Sequence, residues 1–338
     1  MRDRHRLLNL VAAVIATSAT VIVAAQEPQK QLPEKPAESA QGDQSDSTIL
    51  CYTFLTPINV SVTDSINRPI LGLTHEDFAI AEDGVKQEIA FFTDADSPLS
   101  FDLVFHISDY KPLKLMAWQT ARSFAGQIRS TDEVTIPQLK ANSETVRGAN
   151  ADERKLEDAL NKISLNNKSS LFDVIAEGIK YTQEKRQYLR NITVVITDGL
   201  GLSGAASDRD AAYAILRRGA PVYFIILDDG RYGSHTANQS RVRQTRNLLT
   251  RLAVVSGGLA LVVNSEDEIS AATEQIIHRL KNQYTMGYHP TNEKYDGSFR
   301  YVRVTVTPKD KRKVKVFAPL GYYAVDPEKI REEKNNDK

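Results

Sequence analysis

The stretch FDLVFHISDY, from Phe101 to Tyr110, decides the fold of this 338-residue chain. Residues 103–107 read as a short apolar strand, and polar side chains cluster where that strand ends: His106, Ser108, Asp109 and Tyr110. A strand that is apolar on both faces is buried inside a sheet. Any chemistry must therefore lie in the residues that follow it, at the rim where strands give way to loops.

A second stretch has the same form. Residues 192–197 (ITVVIT) are apolar, end in Asp198 and Gly199, and are followed by a helical pattern. Because both stretches are continuously apolar and both lead to polar residues, we predict that they are adjacent, parallel, central strands of one open sheet. Their polar ends would then meet at the same rim.

Strand and helix patterns alternate through the middle of the chain, residues 100–282. Helical patterns cover residues 113–128, 152–163, 171–184, 208–218, 241–255 and 266–280, and strand patterns cover residues 103–107, 134–139, 192–197, 222–227 and 259–263. Strands interleaved with helices predict an α/β fold with a doubly wound, mostly parallel sheet.

The two flanks of this middle part, residues 48–99 and 283–325, are rich in strand patterns instead. Asp83-Gly84 between alternating apolar residues is a hairpin signal. Neither flank is large enough to hold a core alone, so we predict that they pair into one small β-sandwich into which the α/β domain is inserted. The strands expected to share it are residues 58–62, 88–92, 301–307 and 314–317.

The ends of the chain have a different composition. Residues 1–25 combine Arg2, Arg4 and Arg6 with an apolar run that ends in Val23-Ala24-Ala25, which predicts a signal peptide; an uncleaved membrane anchor is the alternative. Residues 26–47 are polar and proline-containing, as in a disordered linker, and residues 326–338 form a charged tail. We therefore expect a secreted or periplasmic protein of the cell envelope.

The charge balance argues against one class of partner. The chain has 43 basic and 43 acidic residues, and a neutral surface does not capture polyanions, so no nucleic-acid partner is expected. The single cysteine, Cys51, can form no intramolecular disulfide and is expected to be a buried strand residue.

A glycine motif suggests a dinucleotide-binding enzyme. Gly199, Gly201 and Gly204 spell GxGxxG after a strand, and Asp228 ends the next strand. However, Ser207 is placed to cap the following helix and Asp208 adds negative charge where a pyrophosphate would sit. The pattern favours a flexible glycine loop.

A hydrolase is the other enzymatic alternative. His106, Ser108 and Asp198 are the residue types of a catalytic triad, but His106 and Ser108 lie two apart on one extended segment. No GxSxG elbow surrounds the serine, and no oxyanion hole is apparent. We expect no enzymatic activity.

Several phrases carry a family resemblance. They are GLTHEDFAIAEDGVKQEIAFF (72–92), SSLFDVIAEGI (169–179), VVITDG (194–199), LKNQYTMGYHP (280–290) and LGYYAVD (320–326). Together they resemble a family of secreted von Willebrand factor type A domain proteins described mainly from Acidobacteria. The resemblance extends over nearly the whole mature chain and implies a type A, Rossmann-like α/β domain at residues 100–282.

The resemblance also implies a metal-ion-dependent adhesion site, in altered form. The family pattern is DxSxS after the first strand, a Thr before a later helix and an Asp after the fourth strand. Here the pattern falls on His106, Ser108 and Tyr110, then on Ser169 and Asp198. Ser108, Ser169 and Asp198 keep ligand types, whereas His106 and Tyr110 stand at substituted positions.

This altered donor set predicts weak or absent magnesium binding. Magnesium takes hard oxygen ligands in an octahedral shell, and the strongest carboxylate of the pattern is lost. Zinc is a less favoured possibility, since one imidazole and one carboxylate fall short of three protein ligands. We expect either a metal-free rim in which His106 bonds to Asp198, or this zinc alternative.

The resemblance implies an exported, non-enzymatic adhesion protein that binds a protein or a matrix-like ligand through this rim. A structural envelope scaffold with an inert rim is the alternative, and a dinucleotide-binding or hydrolytic enzyme comes third. Membrane contact is expected only through the N-terminal segment, if that segment is uncleaved. The tyrosines near the C-terminus predict a packed seam between the domains or, alternatively, a ligand platform.

Overall fold

The computed structural model describes residues 55–94, 98–108, 110–137, 144–147, 170–184, 190–201, 207–218, 221–228, 230 and 236–326. Within these ranges the helices are α1 (Lys111–Gln127), α2 (Leu171–Glu184), α3 (Asp208–Arg218), α4 (Thr236–Val255) and α5 (Glu266–Lys281). The strands are β1 (Thr56–Thr63), β2 (Phe78–Glu82), β3 (Val85–Gln87), β4 (Ile89–Thr93), β5 (Leu99–His106), β6 (Glu133–Ile136), β7 (Glu144–Arg147), β8 (Arg190–Thr197), β9 (Val222–Leu227), β10 (Ala260–Val263), β11 (Gln283–Tyr288), β12 (Phe299–Val306), β13 (Lys315–Phe317) and β14 (Gly321–Tyr323). A short 3₁₀ helix covers His75–Asp77.

The largest sheet among the described residues has the order β10-β9-β8-β5-β6-β7. Its first five strands are parallel, and β7 pairs antiparallel with β6 at the edge. The predicted neighbours β5 and β8 are central, adjacent and parallel, in register from Leu99 with Arg190 to His106 with Thr197. The chain reverses its winding direction between these two strands, so the switch point of the sheet, where such folds bind ligands, lies at their carboxyl ends.

Helices cover both faces of this sheet. Residues of α1 and α5 form one apolar core with the sheet, and residues of α2, α3 and α4 form the other. Strands buried on both faces favour apolar side chains on both faces, which explains the apolar runs Leu103–Phe105 in β5 and Val194–Ile196 in β8. The predicted α/β, doubly wound fold is thus confirmed.

Strands from both ends of the chain form two further, antiparallel sheets. Their orders among the described residues are β13-β1-β11-β4 and β14-β12-β2-β3. The apolar faces of the two sheets share one core, which includes Val60, Ile80, Met286 and Val302. The predicted β-sandwich is therefore built from both flanks, with the α/β part of the chain between them.

The hairpin between β2 and β3 forms at the predicted turn. Asp83 and Gly84 both have positive φ, 48° and 86°, which matches the twist of adjacent strands. Asp83 also ties the turn to β12, since its Oδ1 accepts a hydrogen bond from the Tyr301 N–H at 2.9 Å.

A buried carboxylate lies inside the sandwich. The Oε2 atom of Glu82 accepts hydrogen bonds from the hydroxyls of Tyr288, at 2.6 Å, and Tyr322, at 2.9 Å. Because Glu82 and Tyr288 lie on different sheets, this group links the two layers. Burial raises the pKa of both tyrosines above the usual tyrosine value.

Several predicted element boundaries were wrong. The helix predicted at 241–255 begins at Thr236, and the strand predicted at 134–139 ends at Ile136 before a proline. The strand predicted at 58–62 begins earlier, at Thr56, and ends at Thr63. The strands β7, β11 and β14 were not predicted. The predicted helix at 152–163, Cys51, the signal peptide, the linker and the tail beyond Asp326 lie outside the described residues, and the domain boundaries remain predictions. None of the helices within the described ranges has the length and apolar character that a bilayer crossing requires.

Candidate functional site

The rim at the switch point is built where β5 and β8 end. His106 is the last residue of β5, and its carbonyl oxygen accepts a hydrogen bond from the Asp198 N–H at 3.4 Å. Ser108 and Asp198 therefore stand side by side on neighbouring strands although they are 90 positions apart in the chain. His106, Ser108 and Asp198 are all buried.

The carboxylate of Asp198 holds the two loops of the rim together. Its Oδ2 atom accepts a hydrogen bond from the Ser108 N–H at 2.7 Å, and its Oδ1 atom accepts one from the Leu200 N–H at 3.1 Å. Gly199 lies between these contacts with φ of 72°, in the region that favours glycine. The buried charge is thus stabilised by two backbone donors, one from each loop.

Ser108 begins a tight turn into α1. Its carbonyl oxygen accepts a hydrogen bond from the Tyr110 N–H at 2.7 Å, and the Tyr110 carbonyl in turn accepts the Lys114 N–H at 3.1 Å. The Ser108 hydroxyl is buried and has no hydrogen-bond partner among the described residues. The Tyr110 ring packs against the apolar core shared by α1 and α5.

The first turn of α2 lies next to the glycine loop. The Leu171 N–H donates to the carbonyl of Gly201 at 2.9 Å. The Ser170 hydroxyl caps the helix, because it accepts from the N–H groups of Phe172 at 3.2 Å and Asp173 at 3.3 Å. Sequence reasoning missed Ser170, although serine three residues before Asp173 is a helix-start signal. Ser169, the predicted ligand position, lies outside the described residues.

The N-terminus of α3 is closed by its own side chains. The Asp210 carboxylate accepts from both the N–H and the hydroxyl of Ser207, each at 2.8 Å, and the Asp210 N–H donates back to the Ser207 hydroxyl at 3.3 Å. The predicted cap is confirmed. A carboxylate thus occupies the helix start to which the GxGxxG interpretation assigned a pyrophosphate.

The end of β9 adds a charge pair to the same side of the sheet. The Oδ1 atom of Asp228 accepts the Gly230 N–H at 2.9 Å, and its Oδ2 atom forms an ion pair with Arg246 of α4. Sequence reasoning had assigned no role to Arg246, because nothing in its helix marks it as facing this strand end.

The rim residues present do not fit a magnesium ion. The described ligand positions offer one carboxylate, whose two oxygens both accept backbone N–H groups, together with an imidazole and a hydroxyl. Magnesium requires a nearly octahedral shell of hard oxygens. Across the described part of the chain, no group of three or more His, Cys, Asp or Glu side chains is arranged to hold a metal.

No protein-family model matches the chain, and no curated protein matches it. Among solved structures it is similar to the pilus adhesin SpaC from Lactobacillus rhamnosus GG, with 9% identity and a TM-score of 0.40 over 73% of this chain and 48% of the adhesin. The chain thus spans about half the length of that adhesin structure.

Two further solved structures are similar in fold. The conserved hypothetical protein BatB from Bacteroides thetaiotaomicron matches with 16% identity and a TM-score of 0.37, over 55% of this chain and all of that one. A von Willebrand factor type A protein from Catenulispora acidiphila matches with 10% identity and a TM-score of 0.38, over 74% of this chain and 76% of that protein.

Proposed function

We propose that this chain is an exported, non-enzymatic interaction protein that binds a protein or matrix-like ligand through the rim at the switch point, and that it belongs to the secreted type A domain family that its sequence resembles. One observation carries the proposal. A single buried carboxylate, Asp198, fixes the loops after β5 and β8 beside each other, where an open α/β sheet binds its ligands.

The state of Asp198 suits recognition better than catalysis. A general base has to present an accessible oxygen to a substrate, whereas this carboxylate is buried and each of its oxygens accepts a backbone N–H group. The exposed rim around it offers Lys111 at the start of α1 and Gly201 in the glycine loop. A partner would therefore recognise the shape of two fixed loops.

We also propose that this recognition needs no metal: magnesium binds the rim weakly or not at all, and zinc is the less favoured alternative. Calorimetric titration with magnesium, manganese and zinc tests this. We expect no saturable magnesium binding by the parent protein and a gain of binding by the double variant His106→Asp, Tyr110→Ser, which restores the family pattern. Micromolar magnesium binding that disappears in Asp198→Ala would contradict the proposal.

The ligand-binding proposal is tested by capture from envelope extract on immobilised protein, with and without chelator. Lys111→Glu and Leu200→Asp alter the accessible rim without removing the Asp198 contacts, which use the Leu200 backbone. We expect both variants to lose a partner that the parent retains in chelator. Arg303→Glu, an exposed change on β12, is the matched control and should capture normally.

A scaffold function remains the second candidate, because aromatic side chains form a row across α3, β14 and β12. The ring of Tyr213 lies 4.6 Å from that of Tyr323, Tyr323 lies 5.2 Å from Phe299, and Phe299 lies 4.9 Å from Tyr301. Tyr213 and Tyr301 are exposed. If Tyr213→Ala or Tyr301→Ala abolishes capture while the rim variants retain it, the scaffold function is correct and the rim is inert.

Export is part of the same proposal. Processing of residues 1–25 would release a protein that starts at Gln26, whereas an uncleaved segment would retain it at the membrane. Cell fractionation with N-terminal sequencing of the mature protein distinguishes the two. Recovery of the unprocessed chain in the cytoplasm would contradict export.

A further inference from the structure

The outer face of one sandwich sheet is polar and yet buried. Along β1, Ile58, Val60 and Val62 face the sandwich core, so the intervening Asn59 and Ser61 face the opposite side. Ser61 is paired across the ladder with Gln283, the first residue of β11, and both are almost completely buried. We call the layer formed by Ser61, Gln283, Arg279, Arg190 and Tyr223 the polar junction.

Two arginines reach this junction from the α/β part of the chain. The Arg279 Nε–H, at the end of α5, donates to the Ser61 hydroxyl at 3.4 Å, and the guanidinium lies 4.1 Å from the centre of the Phe317 ring. Arg190, the first residue of β8, is fully buried and donates to the carbonyl of Leu280, the residue after Arg279. Both arginines thus lie at the end of the sheet opposite the rim.

The phenol of Tyr223 completes the cluster. Tyr223 lies on β9 next to β8 and is fully buried in the same core as Leu280. Burial raises the pKa of Tyr223, and the charges of Arg279 and Arg190 oppose that rise. Both guanidinium groups therefore act electrostatically on this hydroxyl.

Among the described residues, no hydrogen-bond partner is found for the buried atoms Arg279 Nη2, Gln283 Nε2 and Tyr223 Oη. A buried donor without a partner is costly, so native structures rarely retain one. Asp132, a carboxylate whose charge favours protonated Arg190, is already engaged by the Leu99 N–H at 2.9 Å and by Arg129 at 3.1 Å.

We propose that the polar junction binds a small monovalent inorganic anion of the size of chloride, held by Arg279 Nη2, Gln283 Nε2 and Tyr223 Oη. Arg190 supplies the second nearby positive charge. An oxygen atom of a water molecule has two lone pairs, whereas a halide accepts from every donor around it, so one anion can satisfy three donors and one water cannot. The anion joins the sandwich to the α/β part of the chain.

Bromide tests the site directly, because it replaces chloride and gives an anomalous diffraction signal. Crystals of the full-length protein soaked in sodium bromide should show a peak among the three donors. Thermal melts in sodium chloride and in sodium gluconate at equal ionic strength provide the second measurement. Specific binding should raise the Tm in chloride with the logarithm of its concentration above the dissociation constant, and by about 5 °C at one hundred times that constant.

Substitutions of the donor residues test whether the proposed site causes the bromide peak and the chloride-specific Tm shift. Tyr223→Phe and Arg279→Met retain bulk, and each should reduce the chloride-specific Tm shift by more than half. Arg303→Met removes an exposed arginine and should leave the shift unchanged. The proposal is overturned by a bridging water instead of a bromide peak, by equal Tm values in the two salts, or by a shift that persists in both junction variants.

Discussion

Replacing Asp198 by Asn distinguishes two possible roles of this side chain: a carboxylate that holds the backbone of two loops, and a ligand of a metal ion. The substitution keeps the size of the side chain but leaves one oxygen for two backbone donors, so either the Ser108 or the Leu200 N–H faces an amide NH₂ group. A hydrogen bond to a charged group contributes about 1.5–3 kcal/mol to stability. We therefore expect Asp198→Asn to lower the free energy of unfolding by about 1.5–3 kcal/mol.

Asp198→Ala removes both acceptors and should cost about 3–6 kcal/mol as an upper bound, since two buried N–H groups lose charged partners. Asp64→Asn is the matched control. The Oδ1 atom of Asp64 accepts two backbone N–H groups, from Ile66 at 3.0 Å and Arg68 at 2.9 Å, in an exposed turn. The Asn oxygen keeps both of these bonds, and only the exposed ion pair between Oδ2 and Arg68 is lost. We expect this control to lose less than about 1 kcal/mol.

Urea denaturation in chelator and in excess magnesium measures these differences. If the carboxylate acts on the backbone, the loss in Asp198→Asn is the same in both buffers. The reasoning is refuted if Asp198→Asn unfolds at the urea concentration of the parent in chelator. It is equally refuted if the destabilisation appears only when magnesium is present.

Three further predictions concern the core, the sandwich and the turns. Val195→Asp places an unpaired charge at a fully buried position of central β8, and should lower the Tm severely in calorimetry; a parent-like melt would show that β8 is not central. Burial raises the pKa of Tyr288 and Tyr322, so the unfolded chain ionises first as the pH rises; the free energy of unfolding should be full below pH about 10 and decline above it. Tyr288→Phe should be less stable than the parent at neutral pH but lose less stability at alkaline pH, as measured by urea titrations at a series of pH values. Gly84→Ala should cost about 1 kcal/mol through its positive φ, whereas Gly126→Ala within α1 should stabilise by up to about 1 kcal/mol, and equal denaturation midpoints for the pair would contradict both assignments.

The sequence was sufficient to predict the elements whose side chains repeat a pattern. The central residues of β5 (Leu103–Phe105) and β8 (Val194–Ile196) are apolar at successive positions because both faces of the sheet are covered, and the sequence shows this directly. The Asp83-Gly84 turn was equally predictable, since few residue pairs accept two positive φ angles. In both cases the physical constraint acts within a few neighbouring residues.

The contacts that determine the rim were not predictable in this way. Sequence placed Ser108 and Asp198 at one rim, but the donors to Asp198 are backbone groups, which every residue has and no pattern marks. The substituted ligand pattern predicted a loss of charge at the site, but not that the remaining carboxylate binds both loops. Arg246 was missed for a related reason, since its partner is the end of a strand 18 residues earlier.

The polar junction shows the same limit on a larger scale. Alternation along β1 predicts that one face is apolar and the other polar, and a polar face is ordinarily exposed to water. In this fold the α/β part of the chain covers that face. Ser61 and Gln283 are buried, and Ser61 contacts Arg279, which lies 218 positions later in the chain. The same central strand, β8, begins at this junction with Arg190 and leads into the rim at Asp198. The apolar residues in the middle of β8 fix its place in the sheet. The charged groups at its ends bind backbone groups of other elements: Arg190 binds the Leu280 carbonyl, and Asp198 binds the Ser108 N–H. Since a buried charge is stable only where such partners are supplied, both ends of β8 depend on residues that are distant in sequence.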